Sequence, residues 1–177
     1  MFIWLGIDVD DQLQGVKKKA MEIEQGIGFE KSNFTLPYHI SLKISFEVNE
    51  MTFDDVVKDI SEIYTKVQPF DVFVKGIELE NSISWIMMHK NYHLDILHDS
   101  LNKILLEKYG VPLHEYDTDY KFHTTLFMDE NADKVVAAYG LIRGEILPER
   151  LIANKFVIGV SSTGEFGTYR VIKEILK

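Results

Sequence analysis

Two short stretches hold the side chains best suited to chemistry. "YHISLKISF" at 38–46 and "KFHTTLF" at 121–127 each contain a histidine, any residue, a hydroxyl residue and then leucine. The two copies are His39-Ile40-Ser41-Leu42 and His123-Thr124-Thr125-Leu126. In an extended strand, residues two apart share a face, so each run presents an imidazole beside a hydroxyl while its leucine turns the other way. Imidazole titrates near neutrality, so of two that meet, one can serve as a base and the other, protonated, as an acid. Hydroxyls can hold non-bridging phosphate oxygens without adding charge that would trap a product. The chemistry implied is acid–base attack at phosphorus, and it needs no metal.

Either motif alone would be weak. The pattern should follow a given histidine by chance roughly once in a hundred, so two among six histidines is on the order of one in a thousand. By the same alternation Lys43 shares the face of His39 and Ser41, where it could bring positive charge, and Phe127 shares the face of His123. Ile40, Leu42 and Ile44 make the opposite, core-facing side of the first run. Tyr38, Phe46, Trp85, Phe127 and Tyr169 are aromatics able to stack on a base, although core packing is the commoner fate of each.

Positioning these runs requires strands and helices in a repeating order. Residues 2–9 read as a strand, with Asp10 and Asp11 opening a helix whose stripe is Leu13, Val16, Ala20, Ile23 and Ile27 and whose stop is Gly26 and Gly28. After the first histidine strand, Thr52 and Asp55 mark a helix start, followed by strands at about 70–79 and 83–88 around the turn-like "ENS". A helix through Leu94, Leu97, Leu101, Ile104 and Leu105 closes at Gly110 and Pro112. The second histidine strand, a helix at 131–141 and strands near 152–161 and 167–175 complete the chain. Both halves thus run helix, histidine strand, helix, strand, strand, with His39 and His123 84 positions apart and a counterpart of the Phe70 strand near Ala153. Such a repeat implies two similar lobes about a pseudo-twofold axis, with the histidines facing each other near it. The expectation is one α+β domain over 1–177, its two mixed or antiparallel sheets lining a central cleft with helices outside.

Composition narrows the partners. A net charge of −9 and a pI near 5.1 argue against an extended nucleic-acid surface, which needs a basic face. With no cysteine, disulfides and thiolate metal sites are ruled out. The start "MFIWLGIDVDD" reads as a strand rather than a signal peptide, and no apolar run is long enough for a membrane span, so a soluble cytoplasmic protein is expected. A monomer is the expectation for assembly, although nothing in the sequence bears on oligomeric state. His89, His93 and His98 cluster in sequence at steps that straddle a strand-to-helix junction, which favours a solvated helix start over a metal site. His114 reads as part of a surface loop. "DVDD" at 8–11 reads as a strand end and helix N-terminus.

With those motifs in hand, the chain resembles the 2H phosphoesterase superfamily, which includes 2′-5′ RNA ligase and cyclic phosphodiesterase proteins. His39-Ile40-Ser41-Leu42 and His123-Thr124-Thr125-Leu126 carry the resemblance, helped by the opening strand and helix, Pro37 and the closing "GTYRVIKEI". It implies a bilobal fold, catalytic His39 and His123, phosphate-binding Ser41 and Thr125, and no metal or other cofactor. Lys43, Phe127 and Tyr169 are candidate substrate contacts, Tyr169 because relatives bring that end of the chain to the cleft. Many relatives carry a basic residue after the second motif, where Phe127 and Met128 stand here. The expected activity is hydrolysis of a 2′,3′-cyclic phosphate or a related nucleotide or RNA-end phosphodiester, with His123 as base and His39 as acid. The alternatives are 2′-5′ ligation by the reverse reaction, a nucleotide-binding module without turnover, and a metal hydrolase using His89, His93 and His98.

Overall fold

The structure is a computed structural model describing residues 1–80 and 82–177; Asn81, inside "ENS", lies outside the described residues. Strand β1 (Phe2–Asp8) is buried along nearly its whole length, as an apolar run in the middle of a sheet must be. Its antiparallel neighbours are β2 (His39–Glu47) and β7 (Lys155–Ser161), and β8 (Arg170–Leu176) completes the order β2-β1-β7-β8. The second antiparallel sheet has the order β5-β4-β3-β6, from β3 (Phe70–Glu80), β4 (Ile83–Met88), β5 (His123–Met128) and β6 (Arg150–Ala153). Both histidine strands are therefore sheet edges, and the two edges approach each other across the cleft.

Among the described residues, four α-helices lie outside the sheets. Helix α1 (Gln14–Ile27) turns Val16, Ala20 and Ile23 inward and stops at Gly28, whose φ of 79° is the left-handed conformation that glycine adopts freely. Gly26 stays inside that helix. Helix α2 (Phe53–Lys66) starts at Thr52, but the Thr52 hydroxyl donates back to the Asn49 carbonyl, and Asn49 caps the short turn before it. Helix α3 (Tyr92–Tyr109) is capped by Asn91, whose side chain accepts from two backbone N–H groups, and ends at left-handed Gly110. Helix α4 (Ala132–Ile142) buries Val135, Ala138 and Ile142.

The pseudo-twofold order is β1-α1-β2-α2-β3 against β4-α3-β5-α4-β7. It also governs packing: α1 packs on α4 and α2 on α3, so each helix pair takes one member from each half. The expected single strand near 152–161 is two strands, because the chain leaves one sheet at Ala153 and enters the other at Lys155. Phe70 and Ala153, read as equivalent positions, are instead direct partners in the β3–β6 ladder; the true counterpart of β3 is β7. One continuous apolar cluster runs beneath both sheets. Among the described residues no helix is long and apolar enough to cross a membrane.

Candidate active site

Each histidine is the first residue of its strand, and both are held the same way. The Nδ1–H of His39 donates to the Pro37 carbonyl at 2.8 Å, and that of His123 donates to the Lys121 carbonyl at 2.6 Å. Bonding Nδ1 to a carbonyl two residues back fixes the tautomer, leaving each Nε2 free to take or give a proton. An indole from the neighbouring strand backs each ring: Trp4 meets His39 edge-on at 4.1 Å, and Trp85 lies against His123 at 4.6 Å. The segment entering β2 is clamped to the end of β1, since Asp10 accepts the Tyr38 N–H at 2.7 Å and Val9 donates to the Tyr38 carbonyl at 2.8 Å. The carboxylate-rich 8–11 run thus braces the site besides ending the strand.

Both histidines, with Ser41 and Thr125, line one cleft of about 320 Å³. Neither hydroxyl is used in a hydrogen bond among the described residues, so both can donate to a ligand. Tyr169 lines the same cleft from the loop before β8, its hydroxyl against that of Ser45.

Beyond the hydroxyls, simple alternation fails in both strands. Ser41 pairs with Gly6 and Lys43 with Leu5, so Leu42 is an extra residue; Thr125 pairs with Trp85 and Phe127 with Ser84, so Leu126 is one too. The leucine of each motif is therefore a β-bulge, which re-aims everything after it. Phe127 accordingly turns into the core, fully buried against Phe29, and Met128 takes the cleft wall. Ile44, expected in the core, likewise borders the cleft. A direct contact between Phe127 and substrate is thereby corrected.

Lys43 is the structural equivalent of Phe127 and is also buried, with 3% of its side chain exposed. Its ammonium meets the Asp117 carboxylate at 2.6 Å, and Asp117 also accepts the His114 N–H at 2.8 Å. Burial would raise the Asp117 pKa, but the Lys43 hydrogen bond, the His114 N–H and the Lys43 charge together hold it below its ordinary value. Apart from the two histidines, Lys43 is the one titratable cation bordering the cleft among the described residues, and its charge is already matched.

His98 is not at a solvated helix start. It is buried in α3, stacked on Tyr120, and its Nδ1–H donates to the Leu42 carbonyl at 2.7 Å, taking up a bulge carbonyl. His89 and His93 are exposed, so the three do not converge, and no metal-binding cluster occurs among the described residues. His114 is exposed, and its ring caps the turn 115–119.

Burial, the largest cause, and the charge of His123 push His39 down to about 4, against the pull of the Pro37 carbonyl and Asp8. Burial also lowers His123, opposed by the Lys121 carbonyl and Glu80. The two rings repel each other's charge, and the deeper depression of His39 puts the first proton taken up by the pair on His123.

Sequence reasoning missed Trp4, Asp117, His98 and Tyr120. Two signals were available: Trp4 and Trp85 are both the third residue of their strands, and His98 and Asn102 sit inside the buried stripe Leu94, Leu97, Leu101, Leu105.

No family profile and no curated protein matches the chain. Solved structures do. A crystal structure of a phosphoesterase aligns over 98% of this chain and 96% of its own, at 13% identity and a TM-score of 0.59. E. coli LigT complexed with 3′-AMP aligns over 98% and 96%, at 14% and 0.57. LigT complexed with NADP+ aligns over 98% and 95%, also at 14% and 0.57. At such identities the likeness establishes the fold, which is that of the 2H phosphoesterases.

Proposed function

We propose that this chain is a metal-independent phosphodiesterase acting on a 2′,3′-cyclic phosphate or a related nucleotide or RNA-end phosphodiester. The observation carrying the reading is the duplicated device: two imidazoles with Nδ1 tied to the carbonyl two residues back, each followed by an unused hydroxyl, in one cleft.

His39, the harder to protonate, takes a proton from water through Nε2 as the water oxygen bonds to phosphorus. The P–O bond to the departing ribose oxygen breaks on the opposite side, and His123 gives its proton to that oxygen. This order reverses the roles expected from the sequence, because burial and, after it, the charge of His123 depress His39. Ser41 and Thr125 donate to the non-bridging oxygens, whose charge grows in the transition state. With Lys43 matched by Asp117, the imidazolium of His123 is the cleft's counter-charge. The product leaves His39 protonated and His123 neutral, and exchange with solvent resets the pair. With the 5′-hydroxyl of another strand in place of water, the same steps are 2′-5′ ligation; water at about 55 M makes hydrolysis the dominant outcome unless the cleft excludes it.

The test is incubation in EDTA with 2′,3′-cyclic nucleotides and with 2′-5′-linked oligomers. Consumption of the cyclic phosphate is expected. Binding without turnover would make the protein a recognition module, and loss of activity on chelation would make it a metal hydrolase.

A further inference from the structure

Trp4 faces Gly159 directly across the β1–β7 ladder, and the absence of a side chain there lets the indole lie down on the sheet. A Cβ at Gly159 would come within 2.3 Å of Trp4 Cε3 and 3.0 Å of Cζ3. Gly6, two residues along the same face, completes the seat: a Cβ there would lie 2.8 Å from Trp4 Cζ2 and 3.3 Å from both Cβ and Cδ2 of His39. Neither glycine has a positive φ, so no turn demands them. What they supply is room for an indole beside an imidazole.

We propose that Trp4, seated on Gly6 and Gly159, is a positioning residue for His39, forming the wall that keeps Nε2 aimed at the phosphate. The proposal rests on the two-histidine reading of the cleft. The Pro37 carbonyl fixes one ring nitrogen but leaves the ring able to rock about that bond, and χ2 of histidine is a soft torsion. An indole whose ring centre lies 4.1 Å from that of the imidazole, at an interplanar angle of 72°, removes that freedom. The same wall excludes water from one side of the ring, contributing to the burial that keeps His39 neutral. The titratable groups facing His39 are Asp8, its ladder partner on β1, which is paired with Lys155 at 2.8 Å, and His123 from β5. Removing the indole leaves both charges in place, so the effect of the wall can be read separately. Trp85 backs His123 without a glycine seat, since its ladder partners are Glu78 and Thr125, and His123 therefore serves as the internal comparison.

The experiment follows the ring signals of both histidines by NMR pH titration in wild type, Gly159→Ala, Trp4→Ala and Trp4→Phe, with thermal unfolding of each. Gly159→Ala adds one methyl, whose closest contact is the indole, with the Arg170 carbonyl next at 3.3 Å, and so keeps the test open if Trp4→Ala fails to fold. In Gly159→Ala and Trp4→Ala the His39 midpoint should climb from about 4 toward its ordinary 6.5, with His123 moving less. Trp4→Phe should restore most of the wild-type behaviour. With a cyclic nucleotide, kcat should fall about 10²-fold in the first two variants and KM should change far less. A His39 midpoint unchanged in folded Gly159→Ala would reduce Trp4 to core filling and overturn the proposal. The titration needs no turnover: a shifted midpoint in an inactive protein would sink the phosphodiesterase reading and leave the role of Trp4 standing.

Discussion

Replacing Asp117 by Asn tests the charge accounting of the cleft. Lys43 and Asp117 have side chains 3% and 1% exposed and meet at 2.6 Å, so removing one charge strands the other away from water. Breaking a buried pair from one side destabilises by about 3–5 kcal/mol, against about 0–1 for a solvated pair. With a urea slope near 2 kcal/mol per M, Asp117→Asn should lower the unfolding midpoint by roughly 2 M. Lys43→Met should fall by a similar amount. The double variant Lys43→Met/Asp117→Leu should recover most of the loss, because two apolar groups leave no charge stranded and only the His114 N–H loses an acceptor. The pH dependence has a definite sign. The folded Asp117 pKa lies below its unfolded value, so its contribution is fully present above the unfolded value and disappears as pH falls through the folded one. Wild type should therefore lose stability toward strong acid more steeply than Asp117→Asn. Urea unfolding of all four proteins at neutral pH is the assay. Single losses below about 1 kcal/mol would mean that the pair is solvated and that Lys43 is a free cation, which refutes the reasoning.

Other outcomes follow from the same geometry. With a neutral His39 and a protonated His123 required together, kcat/KM should peak between about pH 4 and the usual histidine value of 6.5 and decline above it; a plateau extending to pH 8 would contradict the proton assignment. Ser41→Ala and Thr125→Val should each lower kcat/KM by roughly 10- to 100-fold, the worth of a hydrogen bond to a charged group, and loss of only one would mean that the phosphate is held asymmetrically. Phe127→Ala should cost about 3–5 kcal/mol of stability as a core cavity while leaving KM nearly unchanged; a large rise in KM in the folded variant would return Phe127 to the cleft.

The strand alternation around His39 and His123 was legible because burial forces a period of two on a half-exposed edge strand. The helix stops at Gly28 and Gly110 were legible because only glycine takes a left-handed φ cheaply. The limit came at Leu42 and Leu126. A bulge is set by pairing with a partner strand distant in sequence, so nothing local marks the extra residue, and everything after it is read on the wrong face. That one feature explains why Phe127 and Ile44 were misplaced together. The switch between sheets at Asn154 was hidden for the same reason, since 150–153 and 155–161 are equally good strands until their partners are known. His98 was different. Its place in the apolar stripe of α3 was visible, but polarity was read as exposure, whereas the Leu42 carbonyl needed a buried donor.

The central claim is that His39 and His123 act as one acid–base unit. Its most direct test compares the rate of cyclic-phosphate hydrolysis in His39→Ala, His123→Ala and the double variant. Residues acting as a unit give non-additive losses, so each single variant should fall nearly as far as the double. Two losses that multiply in the double variant, or a single variant retaining most of its activity, would contradict the account.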